Sequence, residues 1–177
     1  MTAEAFGYAA IFGEEATIGG LFREKLRRGC FANSLEQGDI RALYDHDTGR
    51  VIGRTKSGTL RLQEDPIGLR FELDVEESTP DGQTVMALVG RQDVSQCSFG
   101  FRVVAEEWRD EGEDTLPLRI ITEVELFEVS IVAWPAYDTT SVQLSARKTH
   151  NRDGAFRRRS ESWERAKTAM RRRGISV

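Results

Sequence analysis

The amino-acid sequence predicts a mainly β fold of the α+β type, in which short strands build a barrel or a sandwich. Three observations support this prediction. Apolar and polar side chains alternate with a period of two through most of residues 1–146. β-Branched and aromatic residues are frequent there, and Gly, Asp and Asn residues separate the segments. Only two stretches of this region have helical character, so short strands dominate the prediction.

The predicted strands follow one another along residues 1–146. Turns at 56–58 and 64–66 separate the central strands, and an acidic loop at 110–115 separates the last two. Proline cannot donate a hydrogen bond to a ladder, so the motif at 134–137, which contains Pro135, is expected to end the last strand. Strands are predicted at 6–12, 21–27, 40–44, 51–55, 60–63, 69–75, 98–106 and 119–132.

Two helices are predicted among these strands, and a third in the C-terminal tail. The longer one, at 79–91, has Pro80 and Asp81 in its first turn and an apolar face behind them. A shorter helix is expected at 31–37. In the tail, Ser160 is a suitable N-cap for a helix at 160–173, whose last residues are basic, in agreement with the helix dipole.

The charge of the chain changes sign near residue 146. The 177 residues carry 25 basic and 29 acidic side chains, but residues 1–146 carry 14 and 26, and residues 147–177 carry 11 and 3. We therefore expect a folded domain at 1–146, of net charge −12, and a basic, flexible or helical tail at 147–177, of net charge +8. The tail either is solvated or binds an acidic protein surface. Nucleic-acid binding is less expected, because the body is acidic.

The composition disfavours several classes of protein. The cysteines and histidines, Cys30, His46, Cys97 and His150, lack the spacing of metal ligands, so neither a metal nor another cofactor is expected. The cysteines are expected to be reduced thiols, with a single disulfide as the alternative. No signal peptide is recognised, and the longest charge-free apolar stretch, at 129–137, is shorter than the roughly 20 residues that span a bilayer. We expect a soluble, cytoplasmic protein without a membrane partner.

Nucleophilic catalysis requires a nucleophile beside a base that a third group orients. His46 is the only histidine of residues 1–146, and it follows a predicted strand in a polar turn that could project it into a cleft. It could equally cap this turn or bond to Asp45 or Asp47. His46 is therefore the candidate base, with a structural role as the alternative.

Ser98 and Cys97 are the candidate nucleophiles. Ser98 stands between apolar neighbours, and Gly100 permits close approach of the backbone, so the serine hydroxyl could be exposed at a strand start. Alternatively, the phenylalanines around Gly100 are simple core positions and Ser98 is a surface residue. A cysteine thiolate is intrinsically more reactive. Strand alternation puts the two candidates on opposite faces, so only one of them can meet His46.

Glu128 lies in the otherwise apolar strand segment 126–132. An unpaired carboxylate is costly there, so Glu128 needs a partner, and a histidine is one candidate. A period of two predicts that Glu128 shares one face with Leu126 and Ser130, and that Phe127 lies with Val129 and Ile131 on the other.

In this order, these segments resemble the prohead serine proteases of tailed bacteriophages, which mature the viral capsid. The resembling region runs from about residue 6 to residue 144, and no single segment would be diagnostic. The matching segments include Arg28-Gly29-Cys30-Phe31, Leu43-Tyr44-Asp45-His46-Asp47, Ile52-Gly53-Arg54, Gly58-Thr59-Leu60, Cys97-Ser98-Phe99-Gly100-Phe101 and Leu126-Phe127-Glu128-Val129-Ser130-Ile131-Val132.

This family is related in fold to the herpesvirus assembly protease. The resemblance therefore implies a compact antiparallel β-barrel flanked by a few helices. It also implies a catalytic triad, with Ser98 as nucleophile, His46 as base and Glu128 as the orienting acid. The herpesvirus relatives use a second histidine as the third member, but residues 1–146 contain only one histidine. The assignment of Glu128 is therefore left open, with the nearby Glu123 and Glu125 as alternatives.

The resemblance implies a serine endopeptidase of capsid maturation. The expected substrates are the scaffolding segment of the major capsid protein and the protease itself, inside the procapsid that assembles in the host cytoplasm. A homodimer is suggested only by analogy with the herpesvirus relatives. The rival hypothesis is a catalytically silent assembly module that recruits or scaffolds capsid protein.

Overall fold

The computed structural model describes residues 2–110, 112 and 115–146 of the chain. The predicted tail helix at 160–173 lies outside the described residues, and the division of the chain at residue 146 stays a prediction. Ten strands and two helices occur in the described part. They are β1 (Thr2–Ile11), β2 (Ala16–Ile18), β3 (Phe22–Leu26), α1 (Ala32–Gln37), β4 (Arg41–Tyr44), β5 (Asp47–Arg54), β6 (Leu60–Glu64), β7 (Gly68–Glu76), α2 (Pro80–Gly90), β8 (Gln96–Arg109), β9 (Leu118–Val132) and β10 (Ser141–Ala146).

The described strands form two sheets. The first has four antiparallel strands in the order β10-β1-β7-β6. The second has the order β2-β3-β9-β4-β5, and β8 pairs with β9 in addition. β3 and β4 run parallel to β9, whereas β8 runs antiparallel to it. The long strand β9 is therefore the centre of the second sheet.

One edge of β9 is covered by three consecutive parts of the chain. β3 pairs with β9 at residues 118–121, and β4 pairs with it at 128–131. Between them lies α1, where the Ser34 hydroxyl accepts a hydrogen bond from Leu126 N (2.9 Å) and donates one to Val124 O (2.8 Å). The buried hydroxyl thus satisfies two backbone groups of β9 that neither neighbouring strand pairs. As a result of this arrangement, β4 lies beside Glu128 and Ser130 of β9.

The hydrophobic core is built from both sheets and from α2. Phe99 of β8 is a centre of this core: its ring lies 5.6 Å from the Phe31 ring in an edge-to-face arrangement, and 5.6 Å from the Tyr137 ring in a stacked one. Burial of each large apolar side chain contributes about 1.5–3 kcal/mol. Other fully buried members are Leu26, Ile40, Leu60, Leu69, Phe71, Leu73, Val75, Val85, Ile121 and Val124.

The mainly β class is confirmed, but the expectation of a closed antiparallel barrel is wrong for the described residues. A barrel requires a continuous ladder around the molecule. Here both sheets are open. Single backbone hydrogen bonds link a strand of one sheet to a residue that flanks a strand of the other: Gly13 N, after β1, donates to Leu26 O of β3 (3.1 Å), and Val142 N of β10 donates to Ser95 O, just before β8 (2.9 Å). The strands are also not all antiparallel, because the chain returns to the same edge of β9 twice, at β3 and at β4.

The predicted strands and both predicted helices of this region are present, with ends shifted by a few residues. Thr79 is the N-cap of α2, and its side chain accepts a hydrogen bond from Gly82 N. The motif at 134–137 ends β9 as expected, but the prediction that this is the last strand is wrong, because β10 follows and pairs with β1. No helix among the described residues is long and apolar enough to cross a membrane.

Candidate active site

His46 lies in the tight turn between β4 and β5. Tyr44 pairs with Asp47, which leaves Asp45 and His46 as the two central residues of the hairpin turn. Their φ angles are 55° and 57°. Positive φ at both central positions is typical of a type I′ turn, and Asp and His are among the residues that adopt this conformation most often. The turn is tighter than the predicted polar run, because strand pairing resumes at Asp47.

The turn is anchored on β9. Asp45 N donates to Ile131 O at 3.0 Å, and His46 N donates to the Ser130 hydroxyl at 3.2 Å. Left-handed backbone costs roughly 1–2 kcal/mol per residue outside glycine, so neighbouring contacts must hold it. These two bonds fix the turn, and with it the imidazole, at the edge of β9.

The imidazole of His46 contacts the carboxylate of Glu128. His46 Nδ1 lies 2.7 Å from Glu128 Oε1, and the exposed fractions of the two side chains are 46% and 12%. An ionised carboxylate can only accept hydrogen bonds, so in a neutral imidazole this contact favours the tautomer with the proton on Nδ1 and the lone pair on Nε2. This is the tautomer that a general base needs.

Gly100 provides the space that the Glu128 side chain occupies. The two residues are paired across the β8–β9 ladder, so side chains at these positions project to the same face. A Cβ atom at Gly100 would lie 2.4 Å from Glu128 Oε1, which is closer than real Cβ contacts, and 3.1 Å from Glu128 Cδ, which is a tight contact. An alanine at position 100 would therefore require the Glu128 side chain to move, and Glu128 is the group whose close approach Gly100 permits.

Ser98 lies on the same face of the sheet as Glu128 and Ser130. It pairs directly with Ser130 in the β8–β9 ladder, which corresponds to a Cβ–Cβ separation of about 4.5–5.5 Å. Its relative exposure is 6%, so the alternative of a surface serine does not apply, and the expectation of an exposed serine hydroxyl is wrong as well. The structure brings His46 and Glu128 into direct contact. Among the described residues, no hydrogen bond joins the Ser98 hydroxyl to His46. Strand β8 thus carries Ser98, the adjacent strand β9 carries Glu128, and His46 lies in the turn that follows β4.

Comparison with known proteins decides the family. The family described as caudovirus prohead serine protease matches residues 2–154. The chain belongs to this prohead protease family. The resemblance drawn from the sequence is thereby confirmed. The prohead protease of Escherichia phage T5 is 31% identical over 103 residues, which are 58% of this chain and 44% of that protein. The match thus spans less than half the length of the phage T5 relative.

The structure distinguishes the three glutamates that were candidates for the third site position in this prohead protease family member. Glu123 accepts a hydrogen bond from Asn33 Nδ2 at 2.7 Å, and Glu125 forms an ion pair with Arg102. Only Glu128 of the three is bonded to His46. Its need for a partner inside an apolar strand is met by the imidazole and by the Ser130 hydroxyl, which donates to Glu128 Oε2 at 2.5 Å.

Cys97 is poorly placed as a rival nucleophile. It is 1% exposed and lies in the core, on the face of β8 opposite to Ser98, as the alternation predicts. Burial raises the pKa of the Cys97 thiol, and the nearby Glu128 charge raises it further, so the reactive thiolate is disfavoured. The second thiol, Cys30, is also buried, and burial raises its pKa to about 12. Both cysteines are free thiols, so the disulfide alternative does not apply.

One predicted face of β9 is wrong. Leu126 does not share a face with Glu128: it is 4% exposed and belongs to the core with Val129, whereas Phe127 is 48% exposed. The cause is a β-bulge, because Gly100 pairs with Glu128 but the next residue of β8 pairs with Leu126, so Phe127 is the extra residue of β9. An extra residue inverts the alternation on one side of it.

Sequence reasoning placed Ser130 beside Glu128 but gave it no function. The structure shows that its hydroxyl contacts both the His46 backbone and the Glu128 carboxylate. The available signal was a hydroxyl residue two positions from a buried carboxylate in an apolar strand. No group of three or more His, Cys, Asp or Glu that could hold a metal occurs in the described part of the chain.

Proposed function

We propose that the protein is a serine endopeptidase that cleaves the scaffolding segment of the major capsid protein, and itself, during procapsid maturation. One observation carries the catalytic proposal: His46 Nδ1 lies 2.7 Å from Glu128 Oε1, beside a strand that presents Ser98 on the same face. Membership of the caudovirus prohead serine protease family supports the reaction class. The name of the phage T5 relative, prohead protease, supports the capsid precursor as the substrate class.

In the proposed mechanism, Ser98 is the nucleophile and His46 the general base. Nε2 of His46 takes the proton of Ser98 Oγ as this oxygen attacks the carbonyl carbon of the scissile amide, and it then passes the proton to the leaving amine. Water hydrolyses the resulting acyl ester with the same histidine as base. Glu128 holds the imidazole in its tautomer and stabilises the imidazolium that forms in each half-reaction.

The test combines active-site substitutions with a natural substrate. Ser98→Ala and His46→Ala are each expected to lower cleavage of a co-produced capsid precursor by about 10⁴-fold or more while the protein stays folded. Glu128→Gln is expected to lower it by about 10²–10⁴-fold, because the serine and the base remain. Cleavage is measured by mass spectrometry of the products. Ser95→Ala is the matched control, since Ser95 is an exposed serine three positions before Ser98.

A serine-directed fluorophosphonate separates an enzyme from a silent assembly module. Covalent labelling requires an activated hydroxyl, so the proposal expects one label per chain, located on Ser98 by peptide mapping. Normal cleavage by Ser98→Ala or His46→Ala would overturn the triad. Absence of both labelling and cleavage in the wild-type protein would overturn the enzymatic function and favour the silent module.

A further inference from the structure

The hydroxyl of Ser130 forms hydrogen bonds with both His46 and Glu128. Its hydroxyl accepts a hydrogen bond from His46 N at 3.2 Å and donates one to Glu128 Oε2 at 2.5 Å. Ser130 is 1% exposed. The other carboxylate oxygen, Oε1, contacts His46 Nδ1. One buried hydroxyl therefore touches both the backbone that carries the imidazole and the carboxylate that orients it.

We infer that Ser130 is a positioning residue of this site, an inference that rests on the proposed protease function. A carboxylate held through one oxygen remains free to rotate about its side-chain bonds. With Oε1 on the imidazole and Oε2 on Ser130, its plane is fixed by two partners. The bond from His46 N fixes the turn relative to the same hydroxyl. Ser130 thus sets the distance and direction between base and acid.

The environment of Ser130 argues against a role in packing alone. Ser130 is 1% exposed, and an apolar side chain would pack at such a buried position without the cost of a hydroxyl. The hydroxyl proton goes to the Glu128 side chain rather than to a backbone carbonyl. Ser34 offers the contrast, because its hydroxyl, which is also buried, bonds only backbone groups of β9.

The first test compares substitutions at these two serines in the full-length protein. Ser130→Ala is expected to lower kcat for cleavage, and the rate of fluorophosphonate labelling at Ser98, by about 10–100-fold, as supporting hydrogen bonds around functional groups generally do. KM should change by less than about threefold, because the Ser130 side chain is 1% exposed and is shielded from a bound substrate. Ser130→Thr keeps the hydroxyl and should restore the rates to within about threefold of wild type. Ser34→Ala should lower the melting temperature but leave the labelling rate within about twofold.

The second test does not depend on activity. In the wild-type protein, the His46 Nδ1 proton should be observed by NMR as a slowly exchanging, downfield resonance, because it is held by the carboxylate. Ser130→Ala should broaden it or accelerate its exchange by at least about tenfold, and Ser130→Thr should retain it. An unchanged resonance together with unchanged labelling in Ser130→Ala would overturn the positioning role.

The outcomes separate the inference from the function on which it rests. Labelling at Ser98 that is equally fast in wild type and Ser130→Ala overturns the role of Ser130 and leaves the protease proposal intact. Failure of wild type to label or cleave overturns both. Equal loss of labelling in Ser130→Ala and Ser34→Ala, tracking their melting temperatures, would assign Ser130 a structural role only and also overturn the inference.

Discussion

A substitution at Gly100 is expected to disturb the candidate site more than the stability of the fold. Its missing Cβ would lie 2.4 Å from Glu128 Oε1, at the end of a side chain that can move, rather than against backbone. We therefore expect Gly100→Ala to displace the carboxylate from His46 and to lower the Ser98 labelling rate by at least about tenfold. The free energy of unfolding should fall by no more than about 1 kcal/mol, since alanine is itself better tolerated than glycine in regular structure.

Labelling kinetics and urea denaturation check this prediction for Gly100. Gly90→Ala is the matched control, because a Cβ there would meet only Leu144 Cδ1, at 3.7 Å, which is an ordinary contact. The control should retain the wild-type labelling rate and be equally or slightly more stable. A Gly100→Ala protein that labels as fast as the Gly90→Ala control would contradict the steric account.

From the sequence, a single residue of the site could be recognised only when its type was unusual for its position. A histidine in a polar turn and a glutamate in an apolar strand are unusual enough to attract a chemical explanation, and the two prove to be bonded to each other. Ser130 was not assigned a role, because a serine within a strand carries no such signal. Its contact with His46 depends on the β4–β5 turn lying at the edge of β9, and it joins residues 84 positions apart.

At the level of elements, local pattern predicts strands but not their partners. The segments that became β4, β8 and β9 were recognisable from alternation, yet the parallel pairing of β3 and β4 with β9 depends on α1 filling the gap between them. The bulge at Phe127 also has no recognisable signal in the local sequence. Because of this bulge, Leu126 lies on the face of β9 opposite to the predicted one. β10 was missed because its strand character comes from pairing with β1, more than 130 positions away.

Thr140 shows how a loop supports the strand that carries Ser98. Its side-chain oxygen accepts a hydrogen bond from Cys97 N at 3.0 Å and donates one to Cys97 O at 2.5 Å, and Thr140 is 5% exposed. Thr140→Val keeps the shape but leaves two buried backbone groups without partners. We expect a loss of about 1–3 kcal/mol in the free energy of unfolding, measured by urea denaturation.

A second threonine provides the control for Thr140. The Thr84 hydroxyl donates to Pro80 O at 2.9 Å within α2 and is exposed, so water can replace it. Thr84→Val should therefore change stability by less than about 0.5 kcal/mol. If Thr140→Val were no more destabilising than Thr84→Val, the loop between β9 and β10 would not be supporting the backbone of β8 as described.

At the scale of the whole molecule, the sequence is acidic over residues 1–146 and basic over residues 147–177. The described elements, with both sheets and the hydrophobic core, lie within residues 2–146. Residues 147–177 contribute a net charge of +8 against −12 for residues 1–146. The family resemblance implied a barrel, but the described strands form two open sheets, because no continuous ladder joins one sheet to the other.

The tail is proposed to dock on acidic scaffold or capsid surfaces, and truncation after Ala146 separates this role from folding and catalysis. The truncated chain should melt within a few °C of the full-length protein and label Ser98 at the same rate, because it retains all the described elements. Its recovery in procapsids, measured by quantitative mass spectrometry, should fall at least about fivefold. A full-length chain with the arginines at 157–159 and 171–173 changed to glutamine should show the same loss, since it removes six of the eleven basic charges. Entry of either variant at the wild-type level would overturn the docking role, whereas an unfolded truncated chain would contradict the two-part organisation.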